Sequence, residues 1–352
     1  VHIRKAPAKN RRVGGTTPVR PLMARTLAMR FHLSIPVLAL AVAAALPALA
    51  QAQGAPKLAQ KSSYKVGFAQ AENNNPWRIA ETKSMQDVAA SCGWQLVVTD
   101  AGGSAAKQVA DVDSMIAQKV DLIVLPPREE KPLIPAVMKA KRAGIPVILV
   151  DRNVDQAVAK AGRDYVTFIG SDFVDQGRRA AEWLVKATGG KGTIIQLEGT
   201  TGSSPANDRK KGFDAVIAKH PGMKIVASQS GDFARDKGRQ VAQALLQAHP
   251  TATAIYAHND EMAIGAITAL EAAGKKPGQD VLVVSIDGTR DALQAIAAGK
   301  MGATVQSSPF FGPITCKTAQ RYAKGETIEP WVKVEDKFYD KSNAQASMAD
   351  GY

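Results

Sequence analysis

From residue 64 onward, apolar runs of strand length alternate with segments of helical period. The runs fall at 64–70, 94–99, 121–125, 145–150, 165–170, 192–198, 223–228, 253–257, 281–286 and 302–306. Their near-continuous Val, Ile and Leu content predicts strands buried on both faces, and parallel strands of that kind need helical crossovers between them. The intervening segments supply these. Residues 78–91 place Ile79, Met85, Val88 and Ala89 near one face and stop at Cys92-Gly93, residues 130–143 stop at Gly144, and another helix follows an N-cap at Asn259 or Asp260. The fold class is α/β. Ten strands overfill one compact sheet, so they divide into two doubly wound, Rossmann-like lobes with a hinge, and a ligand belongs in the cleft between them.

Several strands end in polar residues: Asp151-Arg152, Asn259-Asp260, Asp287-Gly288 and Gln306. In open parallel sheets the carboxyl ends of the strands face the ligand crevice, so these residues outline a pocket. At the front of the first helix stands Glu72-Asn73-Asn74-Asn75-Pro76-Trp77-Arg78. An Asn cap followed by Pro explains the turn. It does not explain Trp77-Arg78, an aromatic face beside a forked donor. Asp208-Arg209 adds a further pair, with Lys210 and Lys211 assigned to solvent. Carboxylates that accept and guanidiniums that donate in fixed directions match the vicinal hydroxyls of a sugar ring.

Composition changes this picture mainly at the N-terminal end. Residues 1–30 carry eight Lys or Arg and no acid, and 35–50 is an uncharged Ala- and Leu-rich run ending in Ala48-Leu49-Ala50. That is the pattern of a signal peptide, with a long basic leader, spanning residues 1–50 and cleaved after Ala50 or just after Ala52. Translation from Met23 or Met29 also fits. A polar linker, 51–63, is expected not to pack. The formal charge of +13 then misleads, because without the leader 37 bases face 32 acids and no basic block remains, which removes the motive for nucleic-acid binding. No later run reaches the roughly 18 apolar residues of a membrane span, so the mature chain is expected not to insert. Export permits a disulfide between Cys92 and Cys316; two separately buried thiols are the alternative.

Enzyme signatures are missing. The sequence has no P-loop ending after Gly199-Thr200-Thr201-Gly202, no G-x-G-x-x-G after the first strand, and no G-x-S-x-G or H-E-x-x-H motif. Five His and two distant Cys give a metal site little support, and no cofactor is expected. An exported sugar-processing enzyme is a distant alternative, since the acids each lie beside an Arg that keeps them ionised. A repressor with this core would need an N-terminal helix-turn-helix, for which the leader and linker leave no room.

Taken together, Trp77-Arg78-Ile79-Ala80-Glu81-Thr82, Leu149-Val150-Asp151-Arg152, Asp208 to Phe213, Ser228 to Phe233, Tyr256 to Asp260 and Ser285 to Gly288 resemble the type I periplasmic sugar-binding proteins. The branch is the ribose-binding-like one, which serves ABC importers, and within it the galactofuranose-binding members are most similar. The resemblance implies a non-enzymatic receptor of the Gram-negative periplasm, a monomer that closes on a monosaccharide and delivers it to an integral-membrane permease and its ATPase. A furanose such as galactofuranose is the expected ligand; another pentose, hexose, sugar acid or autoinducer-like furanosyl compound is the alternative. Asn75, Trp77 and Arg78 would make the first-helix contacts. Asp151, Arg152, Arg209, Asn259, Asp287 and Gln306 would bond the sugar oxygens, and Phe233 would close from the second lobe. Gln306 departs from the galactofuranose-binding pattern, which has Glu there. Arg78, Arg152 and Arg209 then outnumber Asp151 and Asp287 by one, so Glu72 or Asp208 is expected to turn inward. Three crossovers imply an N-terminal lobe of 64–164 and 307–329 and a C-terminal lobe of 165–306 and 330–352.

Overall fold

The computed structural model describes residues 54–352, so the expected leader and cleavage site lie outside the described residues. The chain runs β1 (Tyr64–Gln70), α1 (Pro76–Ala89), β2 (Trp94–Asp100), α2 (Ala105–Ala117), β3 (Leu122–Leu125), α3 (Ile134–Arg142), β4 (Val147–Val150) and β5 (Thr167–Gly170). It continues through α4 (Phe173–Thr188), β6 (Gly192–Glu198), α5 (Ser204–Ile217), β7 (Met223–Ser230), α6 (Arg235–Ala248), β8 (Ala254–Ala257), α7 (Asp260–Ala272), β9 (Leu282–Asp287), α8 (Arg290–Ala297) and β10 (Ala303–Gln306). The last elements are α9 (Gly312–Ala323), β11 (Trp331–Lys333) and β12 (Phe338–Asp340).

Two six-stranded sheets result, ordered β11-β5-β4-β3-β1-β2 and β12-β10-β9-β8-β6-β7. The two orders are the same when corresponding strands are matched, so each lobe is one doubly wound unit. All pairings are parallel except β10 with β12. Apolar residues cover both faces of each sheet, as the unbroken Val and Ile runs require: Phe68, Val124 and Ile148 on one side of the first sheet, Ala69, Ile123 and Leu149 on the other.

Each of the ten expected strands is present, and the sheet membership of two corrects the expected lobe boundaries. β5 pairs with β4 and β11 pairs with β5, so both belong to the first sheet. The chain therefore crosses between lobes at 171–172, 307–311 and 334–337, later than expected at the first and third crossings. Alternation of strands and helices does not say which sheet a strand joins. The short edge strands β11 and β12 escaped notice because three residues carry too little pattern. The segment expected not to pack is also corrected over its described part, 54–63. Leu58 is buried in the first-lobe core, Ala55 N–H donates to the Gly162 carbonyl at 3.0 Å, and the Tyr322 hydroxyl donates to the Pro56 carbonyl at 2.8 Å.

Cys92 and Cys316 form a disulfide with Cα atoms 6.0 Å apart, joining the end of α1 to α9 over a sequence separation of 224. The first and third crossovers are tied to each other as well: Asp336 accepts from the Ser171 hydroxyl at 2.9 Å and from Gln176 Nε2 at 2.8 Å. The disulfide constrains the unfolded chain over a long loop. Replacing both cysteines by Ser should lower unfolding stability by about 2–4 kcal/mol in chemical denaturation, and a loss below a few tenths of a kcal/mol would show that the bridge is not a stabilising constraint.

Candidate functional site

The carboxyl ends of both sheets converge on one cleft. Its lining consists of Asn75, Trp77, Arg78, Asp151 and Arg152 from the first lobe and Pro205, Arg209, Phe233, Asn259 and Asp287 from the second. The space between them is about 320 Å³, counting its open mouth. Nine of the ten principal sequence-derived positions thus meet in one place. They come from six different strand ends and helix starts, which is the convergence that strand-end polarity implies.

Local sequence explains how each side chain arrives. The Asn75 side chain caps α1 by accepting from Arg78 N at 3.0 Å, and Pro76 opens the helix, so Trp77 and Arg78 leave its first turn toward the cleft. Arg209 projects from α5, which lies so close to α4 that a Cβ on Gly177 would sit 2.1 Å from the Arg209 carbonyl oxygen, and one on Gly212 would sit 2.0 Å from that of Val174. Phe233 follows β7 and packs its ring against Gly199, where a Cβ would lie 1.9 Å from the ring. Only glycine fits. The backbone is bent at these points: Asp151, Asp232 and Phe233 have φ of 57°, 56° and 59°, in the left-handed region that costs non-glycine residues on the order of 1–3 kcal/mol.

The electrostatics form one buried network. Arg78 donates to Asp151 at 2.7 Å through Nη2 and to Glu81 at 2.8 Å through Nη1, while its guanidinium lies 4.6 Å from the Trp77 ring centre. Arg152 donates to Glu72 at 3.2 Å, and Glu72 also accepts from Arg128 at 2.6 Å. In the second lobe Arg209 donates to Gln176 at 2.9 Å and to the His258 carbonyl, with Asp287 at 3.5 Å. Phe233 lies under both lobes' cations, its ring 5.6 Å from Arg152 and 5.8 Å from Arg209.

Burial and neighbours move these groups in different directions. Burial pushes the Glu81 carboxyl up to about 7 even against Arg78, and Asp151 nearby adds to the rise. Burial also works to raise Glu72, but Arg152, Arg78 and Arg128 together hold it below its ordinary value. Arg152 is lowered to about 10 by burial and by the neighbouring Arg78. Burial lifts Asp287 well above the carboxylate range despite Arg209, leaving an acceptor poorly served by protein donors. Behind it, Asp260 holds the sheet edge by accepting from the Thr289 amide at 2.7 Å, from Thr304 at 2.8 Å and from Ser285. His258 is kept neutral, its pKa driven well down by burial and by Arg209.

Three expectations are revised. Gln306 is not part of the lining: its amide oxygen accepts from Lys337 N at 3.2 Å, because β10 runs straight into the hinge beside the returning chain. Asp208 faces away from the cleft, one residue and so about 100° around α5 from Arg209. Glu72 supplies the inward charge instead. Lys210, assigned to solvent, hydrogen-bonds Gln196 at 2.8 Å and pairs with Glu198 at 3.0 Å, whereas Lys211 is exposed.

Arg128, Glu81, Pro205 and Asp232 were not anticipated. Arg128 was within reach of the strand-end rule, since β3 runs into Pro126-Pro127-Arg128. Glu81 lies three residues beyond Arg78 on the same helix, a spacing that brings side chains together. Arg128 also spans the cleft to Asp232 at 3.3 Å. Further direct bridges join Glu130 N–H to the Gly202 carbonyl at 2.9 Å, Asn207 to Glu130 at 2.7 Å, and Asn153 N–H to Ser204 at 2.8 Å. The lobes are in a closed arrangement. Among the described residues no group of His, Cys, Asp and Glu is placed to hold a metal ion, and no helix is long and apolar enough to cross a membrane.

Two lobes of this topology, hinged by three crossovers over a buried polar pocket, define a type I periplasmic binding protein. Residues 66–327 match the family described as periplasmic binding protein domain, and the chain belongs to that family. The galactofuranose-binding protein YtfQ of Escherichia coli (strain K12) is 39% identical over 267 residues, covering 75% of this chain and 83% of that protein. The ribose import binding protein RbsB of the same strain is 36% identical over 269 residues, with coverage of 76% and 88%. A solved Mycobacterium smegmatis structure in complex with β-D-fucofuranose is 42% identical with a TM-score of 0.78, covering 82% of this chain and 95% of that one.

The raised Glu81 carboxyl has a directional consequence. Between its ordinary value of 4.5 and about 7, the folded protein holds a proton that the unfolded chain has released. Its contribution to stability is therefore full below pH 4.5 and is lost as the pH rises through 7. Denaturation midpoints of the wild type and Glu81→Gln at pH 5 and pH 8 should show the wild type losing ground to the variant at the higher pH; an unchanged difference would place the Glu81 carboxyl in the ordinary range.

Proposed function

We propose that this protein is the periplasmic receptor of an ABC importer, taking one neutral monosaccharide in furanose form between its lobes. The observation that carries this reading is the pairing of buried carboxylates and guanidiniums around a cleft walled by Trp77 and Phe233. Asp151 and Asp287 offer acceptors, Arg78, Arg152 and Arg209 offer donors, and the aromatic residues offer faces to C–H groups. Asn75 and Asn259 can both donate and accept. The named relatives support the ligand class, being galactofuranose- and ribose-binding proteins and a structure holding β-D-fucofuranose.

Charge balance favours a neutral sugar over a sugar acid. Arg78, Arg128, Arg152 and Arg209 are met by five acids, Glu72, Glu81, Asp151, Asp232 and Asp287, so the cations have partners even though burial disfavours the charged forms of Glu81 and Asp287. Asp287, lifted by burial and weakly bonded, is suited to a hydroxyl donor. The lobes act as the two halves of one site: closure desolvates the sugar and brings Phe233 and Arg152 together, and the closed shape is what a permease and its ATPase would read. In this reading the protein works as a monomer, and the expected role of Gln306 in choosing the sugar is withdrawn along with its place in the lining.

Calorimetry against a panel of monosaccharides that includes galactofuranose and other furanoses should find at least one neutral binder. Asp151→Ala or Arg152→Ala should weaken it by about 2 kcal/mol or more, because each removes a charged hydrogen-bonding group from the buried cleft. Affinities within twofold of wild type in both variants would move the site elsewhere. A uronic acid that outbinds every neutral sugar would overturn the charge argument.

Small-angle scattering provides an independent check on the mechanism. Saturating sugar should reduce the radius of gyration at constant mass. A radius unchanged by saturation, or a doubled mass, would contradict a monomeric clamp.

A further inference from the structure

A second, larger space lies beside a different face of α5 from the one that meets the sugar cleft. It measures about 1220 Å³, counting its open side. Its walls come from the loop after β4 (Asn153, Lys160), from α5 (Ser204, Asp208, Lys211) and from the first and third crossover regions (Asp172, Phe173, Trp331). The cleft and this groove therefore share two pieces of backbone: Asp151 and Arg152 face one and Asn153 the other, while Arg209 faces one and Asp208 the other. The groove needs no assumption about what the cleft binds.

Two features of the groove are unexplained by the fold. Trp331 is 41% exposed, yet its ring is held in a fixed orientation by its Nε1–H, which donates to the Gly170 carbonyl at 2.8 Å, and by Phe168, whose ring centre is 6.2 Å away. Asp208 is half-buried and accepts a hydrogen bond from none of the described residues, and burial pushes its carboxyl above the ordinary value. A fixed aromatic face and an unserved acceptor on the walls of one groove suit C–H groups at one part of a ligand and a hydroxyl at another. The charges around it cancel. Its charged lining residues are two acids, Asp172 and Asp208, and two bases, Lys160 and Lys211. Neither an anion nor a cation is favoured.

We propose that this hinge-side groove is a second binding site, for the ring of a neutral polyhydroxy compound of the saccharide class, and that its occupancy favours the closed arrangement of the lobes. The second half follows from where the walls originate. Asn153 belongs to the first lobe and Ser204 to the second, and they touch at the groove through the 2.8 Å hydrogen bond of Asn153 N–H to Ser204. A ligand spanning both walls binds best when they stand at this separation, so it draws the population toward closure. Binding at cleft and groove is then coupled, and the coupling is reciprocal.

The test uses Asp151→Ala protein, so that the main cleft is impaired, with D-galactose as the probe at up to about 100 mM, well beyond the millimolar constants of weak sites. The Trp331 indole N–H resonance, identified by its loss in Trp331→Phe, should shift saturably. Adding Asp208→Ala should weaken that response about tenfold, whereas Asp208→Asn, which keeps an acceptor oxygen, should retain most of it. Matching thermal midpoints confirm that each variant folds. Galactose should also reduce the radius of gyration of the Asp151→Ala protein. No saturable shift, or one indifferent to Asp208→Ala, overturns the site; a saturable shift without compaction overturns its effect on the lobes.

Discussion

Four buried guanidiniums cannot stand in a protein interior without acids to meet them, and the architecture of the cleft follows from that requirement. Glu72 serves both Arg128 and Arg152, Arg78 is clamped between Asp151 and Glu81, and Asp287 stands at the longest distance, from Arg209. Three of these carboxylates lie on or beside the first strand, the first helix or the end of β4. The first lobe is thus nearly self-neutralising before the second lobe arrives. What the second lobe adds is Phe233, Asn259 and a loosely held pair, which leaves donors and acceptors on that side available to a ligand.

The same requirement explains the strained backbone. To turn Asp151 back toward Arg78 at the end of a buried strand, the chain adopts a left-handed residue; to lay Phe233 beneath two cations it adopts two in succession, Asp232 and Phe233. Glycine absorbs the crowding elsewhere, at Gly199 under the ring and along the seam of α4 and α5. The strain sits at the residues that line or brace the cleft, where a rigid geometry is of most use in discriminating between sugars.

Most of this was legible in the sequence because buried parallel strands announce themselves as unbroken apolar runs, and because polar residues at their carboxyl ends have only one place to go. Asp151, Arg152, Asn259 and Asp287 follow from that rule. Arg128 follows from it equally well, but the two prolines before it obscured the strand end. Gln306 satisfied the rule and failed, since the strand that carries it leads into a crossover and the neighbouring Lys337 amide captures its side chain. Lobe membership of β5 and β11 was not legible at all: it depends on pairing with β4, a long-range choice that neither periodicity nor composition encodes. Packing of the segment before β1 was hidden for a related reason, as one leucine and two backbone carbonyls secure it.

The crossovers divide the chain unequally in one respect. The second lobe, apart from β12 and the residues after it, is a continuous stretch from α4 to β10, whereas the first lobe is assembled from two stretches with that insert between them. A chain emerging N-terminus first can therefore build most of the second lobe from consecutive residues. The first must wait for α9 and β11 to appear, and Cys92 must remain an unpaired thiol until residue 316 has been delivered. The disulfide thus records the completion of the earlier lobe by the later part of the chain, and a premature partner for Cys92 would trap the lobe that carries Trp77 and Arg78 in an unfinished state.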